Sequence, residues 1–185
     1  MMTLVFFLEE PSAREALKGI LPRIIPTEDI DCKFVVFQGK QDLQKQLKRK
    51  LRSWMKPNSR FVVLRDQDSH DCHIVKKNLK TICKEAQRPE TLIRIACHEL
   101  ESWFLGDLKA VEEAFGVRGL ADKQDKSKYR KPDRLNNAAQ ELSRITQMKY
   151  QKVAGSRAIG QLMDIENNKS RSFKVFRDGV LNLIG

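Results

Sequence analysis

The 185-residue chain carries 35 Lys/Arg against 24 Asp/Glu, a formal net charge of +11. Its 41% hydrophobic content excludes a disordered chain, and the lack of any run of about 18 apolar residues excludes a membrane-spanning helix. The length suits one domain, or one domain with an extension, and the cationic excess points to a polyanionic partner, nucleic acid above all.

Residues 3–8 are a continuous apolar run, read as a buried strand, that stops at Glu9-Glu10. Ser12 and Glu15 have the spacing of a capping box, and Ala16, Leu17, Ile20 and Leu21 supply the apolar face of the helix that follows. Pro22 and Pro26 end it. A second strand covers 32–37. Residues 41–55 predict a helix with Leu43, Leu47, Leu51 and Trp54 on one face and Lys45, Lys48, Arg49 and Arg52 largely on the other. Pro57-Asn58-Ser59 turns the chain into a third strand, which ends at Asp66-Gln67-Asp68 because Asp is a poor strand residue and a good loop residue. Residues 71–84 predict a helix with Ile74, Val75, Leu79 and Ile82 inward, and 91–97 a fourth strand running into His98-Glu99-Leu100-Glu101.

Asp107 then caps a short helix over 108–115 that Gly116 stops. Residues 117–132 read as a mobile basic surface loop, with Tyr129 placed for base stacking between Lys128 and Arg130. Further helices are predicted over 133–146, 157–165 and 172–184. Strands alternating with helices of about a dozen residues mean βαβ units and right-handed crossovers. The expected fold is therefore α/β and Rossmann-like: a mainly parallel four-stranded sheet flanked by helices in residues 1–115, with a basic helical extension in 116–185 packed on it.

The first ten residues make a poor signal peptide, so Cys32, Cys72, Cys83 and Cys97 are expected as reduced thiols in a cytoplasmic protein. The charge is segregated. Residues 40–60 hold eight Lys/Arg and one Asp, residues 116–185 hold fifteen Lys/Arg and seven Asp/Glu, and the remainder is net acidic. An acidic centre between basic flanks is the arrangement expected where metal-holding carboxylates meet a phosphate backbone. Lys45, Lys48, Arg49, Arg52, Lys128, Arg130, Lys131 and Lys152 are the candidates for nucleic-acid contact.

Acidic pairs end three strands: Glu9/Glu10, Asp66/Asp68 and Glu99/Glu101. Parallel strands bring those ends to one edge, where open α/β sheets bind ligands. Carboxylates grouped there repel one another unless a cation neutralises them. Mg²⁺ or Mn²⁺ suits such oxygen donors and can orient phosphate oxygens. Glu9, Asp66, Asp68 and Glu101 are thus the candidate metal ligands. A bland alternative, carboxylates serving helix N-termini, accounts for Glu10 and Asp71 better than for Asp66-Gln67-Asp68. His70, Cys72, His73, Cys97 and His98 form a poorer zinc set, without a Cys-x-x-Cys pair.

A Glu just after strand one, followed after strand three by Asp-x-Asp, resembles the TOPRIM domain of topoisomerases, bacterial primases and OLD-type nucleases. Leu8-Glu9-Glu10-Pro11-Ser12 stands where that family has Glu-Gly-x-Thr/Ser, and Leu64-Arg65-Asp66-Gln67-Asp68 supplies the Asp-x-Asp. Over most of its length the chain more closely resembles the DUF4276 proteins, through Glu9-Glu10-Pro11-Ser12, Glu101-Ser102-Trp103-Phe104-Leu105-Gly106-Asp107 and the stretch from Tyr150-Gln151-Lys152 to Ser170-Arg171-Ser172-Phe173. The resemblance implies that Asp66 and Asp68 hold a metal and that Glu9 or Glu10 is a catalytic acid/base or further ligand. Glu10 departs from the wider family's Gly, which leaves open which Glu faces the metal. OLD-type nucleases work with ATPase domains, and no Gly-x-x-x-x-Gly-Lys-Ser/Thr motif occurs here, so any ATP the resemblance implies would have to be handled by a separate ATPase subunit, as in an anti-phage complex.

Two functions follow: a Mg²⁺-dependent nuclease, or a non-catalytic subunit of the same fold that binds nucleic acid or a partner. Phosphatase or nucleotidyl-transfer chemistry on a small substrate leaves the basic flanks unexplained. Self-association is left open.

Overall fold

Four strands, β1 (Met2–Leu8), β2 (Ile30–Val36), β3 (Ser59–Asp66) and β4 (Leu92–Ala96), form one sheet in the order β2-β1-β3-β4. Every neighbouring pair is parallel. The computed structural model describes residues 1–25 and 28–185. Leu8 lies level with Val36 on one side and Leu64 on the other, and Asp66 with Ala96. The four carboxyl ends therefore open on one edge.

Alternation along the central strand explains the two cores. Leu4, Phe6 and Leu8 join Leu17 and Ile20 of α1 (Pro11–Ile20) and Trp103 and Phe104 of α4 (Glu101–Leu105). Val5 and Phe7 join Leu43, Leu47 and Leu51 of α2 (Lys40–Arg52) and Val75, Leu79 and Cys83 of α3 (Cys72–Glu85). With both faces covered, the strands read as unbroken apolar runs rather than alternating ones. The expected parallel four-stranded α/β sheet is what the chain forms.

The remaining helices are α5 (Leu108–Phe115), α6 (Ala138–Ile145), α7 (Lys152–Leu162) and α8 (Arg171–Ile184). Phe173, Phe176 and Val180 of α8 and Ile159 of α7 belong to the same cluster as Phe6 and Leu17. Trp103 lies against Phe173 and Phe176, and its indole N–H donates to Ser172 Oγ. Asp107 caps α5 and Gly116 ends it in a left-handed conformation, φ +62°, as the sequence predicts.

α7 is laid along α1 in the same direction: Glu10 meets Lys152, Glu15 meets Arg157 and Gly19 meets Gly160. A Cβ on Gly160 would stand 2.6 Å from Ala16 O, and one on Gly19 2.6 Å from Gln161 N. Only glycine at both positions lets the two backbones touch, and that contact sets the register between the helices. Both helices consequently start at the carboxyl edge of the sheet.

Several expectations are corrected. Ser12 and Glu15 do not form a capping box: α1 begins at Pro11, Glu10 is its N-cap residue without a side-chain cap bond, and Glu15 binds Arg157 instead. With Pro at the first helical position, the helix begins two residues earlier than the Ser signal implies. Ile74 points outward, 60% exposed. Tyr129 is buried rather than free to stack, because its hydroxyl donates to Glu141 on α6. The 117–132 segment is tied down by the Gln124 side chain, which bonds Leu105 O, Tyr129 O and Leu108 N–H, and carries a 3₁₀ turn at Ala121–Lys123. The helix expected at 157–165 runs instead from Lys152 to Leu162; Val153 and Gly155, weak helix formers, hide its first turn from the sequence pattern. The one expected at 133–146 starts at Ala138, after a 3₁₀ turn at Pro132–Arg134. Pro22 sits in the 3₁₀ turn Leu21–Arg23 that follows α1, and Pro26 lies outside the described residues.

All four cysteines are free thiols. Among the described residues no helix is long and apolar enough to cross a membrane.

Candidate functional site

Strand order 2-1-3-4 reverses direction between β1 and β3. That is the switch point at which open α/β sheets leave a crevice outside the strand ends. Glu9 leaves β1 and Asp66 ends β3 on either side of it. The Asp66 N–H donates to Glu9 Oε2, 3.2 Å, and the Gly39 N–H donates to Glu9 O, 3.0 Å. The residue facing Asp66 is therefore Glu9. Glu10 accepts from Ser12 Oγ and pairs with Lys152 at 2.5 Å.

Glu101 enters from the first turn of α4 and is 1% exposed. Tyr150 donates its hydroxyl to Glu101 Oε1 at 2.9 Å, while Oε2 is buried with no partner among the described residues. Arg65, itself 3% exposed, stands 3.7 Å from Glu9 Oε2. Burial, then the charges on Glu101 and Glu9, push the Asp66 carboxyl well above the usual carboxylate range. Burial and Asp68 likewise raise Glu9 against the opposing pull of Arg65, and burial raises Glu101. Burial disfavours the Lys152 ammonium, yet the Glu10 bond and the charges on Glu101, Glu10 and Asp66 outweigh it and hold the proton more tightly. Next to Glu101 the Tyr150 hydroxyl is pushed far up by burial and by that charge.

Asp68 lies to one side. Its backbone is left-handed, φ +56°, as is that of His98, and the two residues are linked by an Asp68 N–H to His98 O bond of 2.8 Å. Such a conformation is uncommon outside glycine, and two adjoining cases mark a loop held in place by its surroundings. The Asp68 carboxylate reaches Lys40 at the start of α2, 2.9 Å. Asp71 caps α3 by accepting from the His73 and Ile74 N–H groups, and Glu99 accepts from the Ala139 N–H at the start of α6. Those two carboxylates serve helices.

The donor set suits a hard divalent ion. Glu9, Asp66 and Glu101 offer oxygens only, and one of those oxygens is orphaned in the interior. A cavity of ≈ 10 Å³ lies between Glu9, Glu10, Ser12, Arg65, Asp66 and Leu100. That is room for about one water molecule or ion and for nothing larger. As the side chains stand, no group of three or more His, Cys, Asp or Glu among the described residues is arranged to hold a metal. What stands beside Glu10, and close enough to Asp66 and Glu101 to be felt electrostatically, is the ammonium of Lys152.

The basic candidates divide. Lys45, Lys48, Arg49 and Arg52 line an open depression of ≈ 470 Å³ on α2. It runs away from Lys40, with Arg52 about 18 Å of helix rise beyond it. Lys48 pairs with Glu85 there, and Arg52 donates to Glu85 O. Lys128 is spent on Glu141 at 2.8 Å, while Arg130 and Lys131 are exposed. An apolar cavity of ≈ 290 Å³ beside Leu17, Leu21 and Phe34 lies at the β2 edge, lined by none of the site carboxylates. Sequence reasoning did not place Lys40, Arg65 or Tyr150 in the site. The strand-end rule that drew attention to Glu9 and Glu10 could also have drawn it to Lys40, four residues past Val36 at the end of β2.

No curated protein matches this chain. Among solved structures, the C-terminal region of the Burkholderia pseudomallei OLD protein is similar over 96% of this chain and 98% of that one, at 16% identity and a TM-score of 0.48, too loose a likeness to stand for a shared site. The model of a domain of unknown function, DUF4276, matches residues 8–181. With nearly its whole length inside that match, the chain belongs to the DUF4276 family.

Proposed function

We propose that this chain is a cytoplasmic Mg²⁺- or Mn²⁺-dependent nuclease of TOPRIM type, acting on DNA or RNA phosphodiesters. The observation that carries the reading is the arrival of Glu9, Asp66 and Glu101, from three distant segments, at the switch point of a parallel sheet. Those three carboxylates would hold the ion, with Asp68 beside them. Bound there, it neutralises charge developing at a phosphorus centre.

The chain's own residues supply the rest of what phosphodiester chemistry needs. α1 and α7 both present N-termini without side-chain caps to this edge, which favours an anionic phosphate. The cavity is too small for a nucleotide, so the strand must lie across the rim. There Lys40 and Lys152 are half-exposed, and the α2 depression continues the positive surface. Arg65 and Tyr150 hold Glu9 and Glu101 in position. If an ATPase takes part, as the TOPRIM resemblance implies, these residues contain no phosphate-binding loop to provide it. A non-catalytic nucleic-acid-binding subunit is the second reading, favoured by the Lys152 ammonium among the carboxylates.

Incubation of plasmid DNA and single-stranded RNA with Mn²⁺ separates the two. Metal-dependent cleavage is expected, falling by roughly a thousandfold or more in Asp66→Ala with folding retained. No cleavage of either substrate by the wild type, or equal cleavage by the variant, overturns the nuclease and leaves the binding subunit.

A further inference from the structure

We infer that β2, at one edge of the sheet, is a pairing surface for a second copy of this chain: two β2 strands join antiparallel about a two-fold axis at Cys32 and make one continuous sheet. The inference concerns a different face of the molecule from the carboxylate site and does not depend on the nuclease reading.

The two edges of the sheet are finished differently. On β4, Ala96 O accepts from the Gln67 N–H, so Ile93 and Cys97 turn their backbone groups outward. Both are met there. Ile93 O accepts from the Arg94 guanidinium at 3.0 Å, and the Cys97 N–H donates to Ser172 Oγ at 3.4 Å. On β2, Asp29 O accepts from the Met2 N–H and the Phe37 N–H donates to Leu8 O, so the odd-numbered residues face β1. The backbone groups of Ile30, Cys32, Phe34 and Val36 therefore point out of the sheet, with no hydrogen-bond partner among the described residues. No residue of this strand is fully buried. An open edge of this kind is a template for another strand.

The order of charges along β2 selects its own copy. Two-fold symmetry makes identical paired strands antiparallel, and outward-turned residues must face outward-turned residues. Centred on Cys32, the pairing sets Asp31 opposite Lys33 twice and Ile30 opposite Phe34 twice. A register shifted by one step sets Asp31 against Asp31 in one direction and Lys33 against Lys33 in the other, and like charges directly opposite are disfavoured. The other face of the strand is served as well. Ile30, Cys32 and Phe34 pack against the Phe6 and Leu17 core and, with Leu17 and Leu21, line the ≈ 290 Å³ apolar cavity. Phe34 of the second copy, placed across from Ile30, lies beside that cavity. Because the joined strands run in opposite directions, the carboxyl edges of the two copies open at opposite ends of the common sheet.

The test uses the full chain. Sedimentation equilibrium should show a reversible dimer with a dissociation constant on the order of 10 µM. Asp31→Lys and Lys33→Asp change the net charge in opposite senses, yet each should weaken the dimer roughly tenfold, and the two combined in one chain should restore it. A short bis-maleimide should join two wild-type chains through Cys32, identified by mass spectrometry. A dimer that survives both single variants, or one that gives no Cys32 link, overturns the inference. A monomer at every concentration also overturns it and leaves this edge to a strand from a different protein. The Cys32 link needs no variant, so it decides even if the charge variants fold poorly.

Discussion

Two buried acidic sites lie close to α1, one on the helix itself and one beyond its N-terminal end, and they are built in opposite ways. Glu15 is 2% exposed and is met by Arg14, Lys18 and Arg157, at 3.0, 3.1 and 2.7 Å. Despite its burial, these partners hold its carboxyl down at about 2. At the end of the helix, Glu9, Asp66 and Glu101 share Arg65 and one lysine, and all three are pushed upward. Residue type and depth are alike, and partner count differs. The first arrangement fastens α7 to α1. The second leaves charge unmet at a switch point, which is what a site awaiting a cation requires.

Breaking the fastened site should have the larger effect on stability. Glu15→Gln is expected to cost about 1–2 kcal/mol in urea denaturation at pH 7, the modest size following from the half-exposed, screened partners. Because the folded-state value is depressed below the ordinary 4.5, this contribution is present above pH 4.5 and is lost as pH falls towards about 2. The gap between wild type and variant should therefore shrink at pH 3. A gap that stays constant would mean that Glu15 acts through packing and not through its charge.

Relieving the unmet site should have a smaller effect of the opposite sign. Asp66→Asn removes one of the three crowded charges and is expected to raise stability by roughly 1 kcal/mol in metal-free buffer, while abolishing cleavage. Destabilisation instead would show that the three carboxylates are as well served as Glu15, and the contrast between the two regions would vanish.

Much of the fold could be read from the chain because its signals are local. The strands are unbroken apolar runs, and Asp107 and Gly116 bracket α5 as their chemistry dictates. That the acidic pair after β1 lies beside Asp66 followed from strand ends, but which of Glu9 and Glu10 faces it did not. What could not be read depends on partners distant in sequence. Tyr129 looks solvent-facing among Lys126, Lys128 and Arg130, and only Glu141 on α6 explains its burial. The Ser12/Glu15 spacing mimics a capping box, and nothing near it announces Arg157, 142 residues further on. Lys152 reads in sequence as a phosphate contact, and its pairing with Glu10 arises from the contact between Gly19 and Gly160.

Calorimetric titration of Mg²⁺ and Mn²⁺ into the wild type and into Asp66→Asn tests the central claim most directly. The account predicts saturable binding by the wild type, at least one ion per chain, weakened roughly a hundredfold or more in the variant. Binding absent from the wild type, or equal in both proteins, would contradict it.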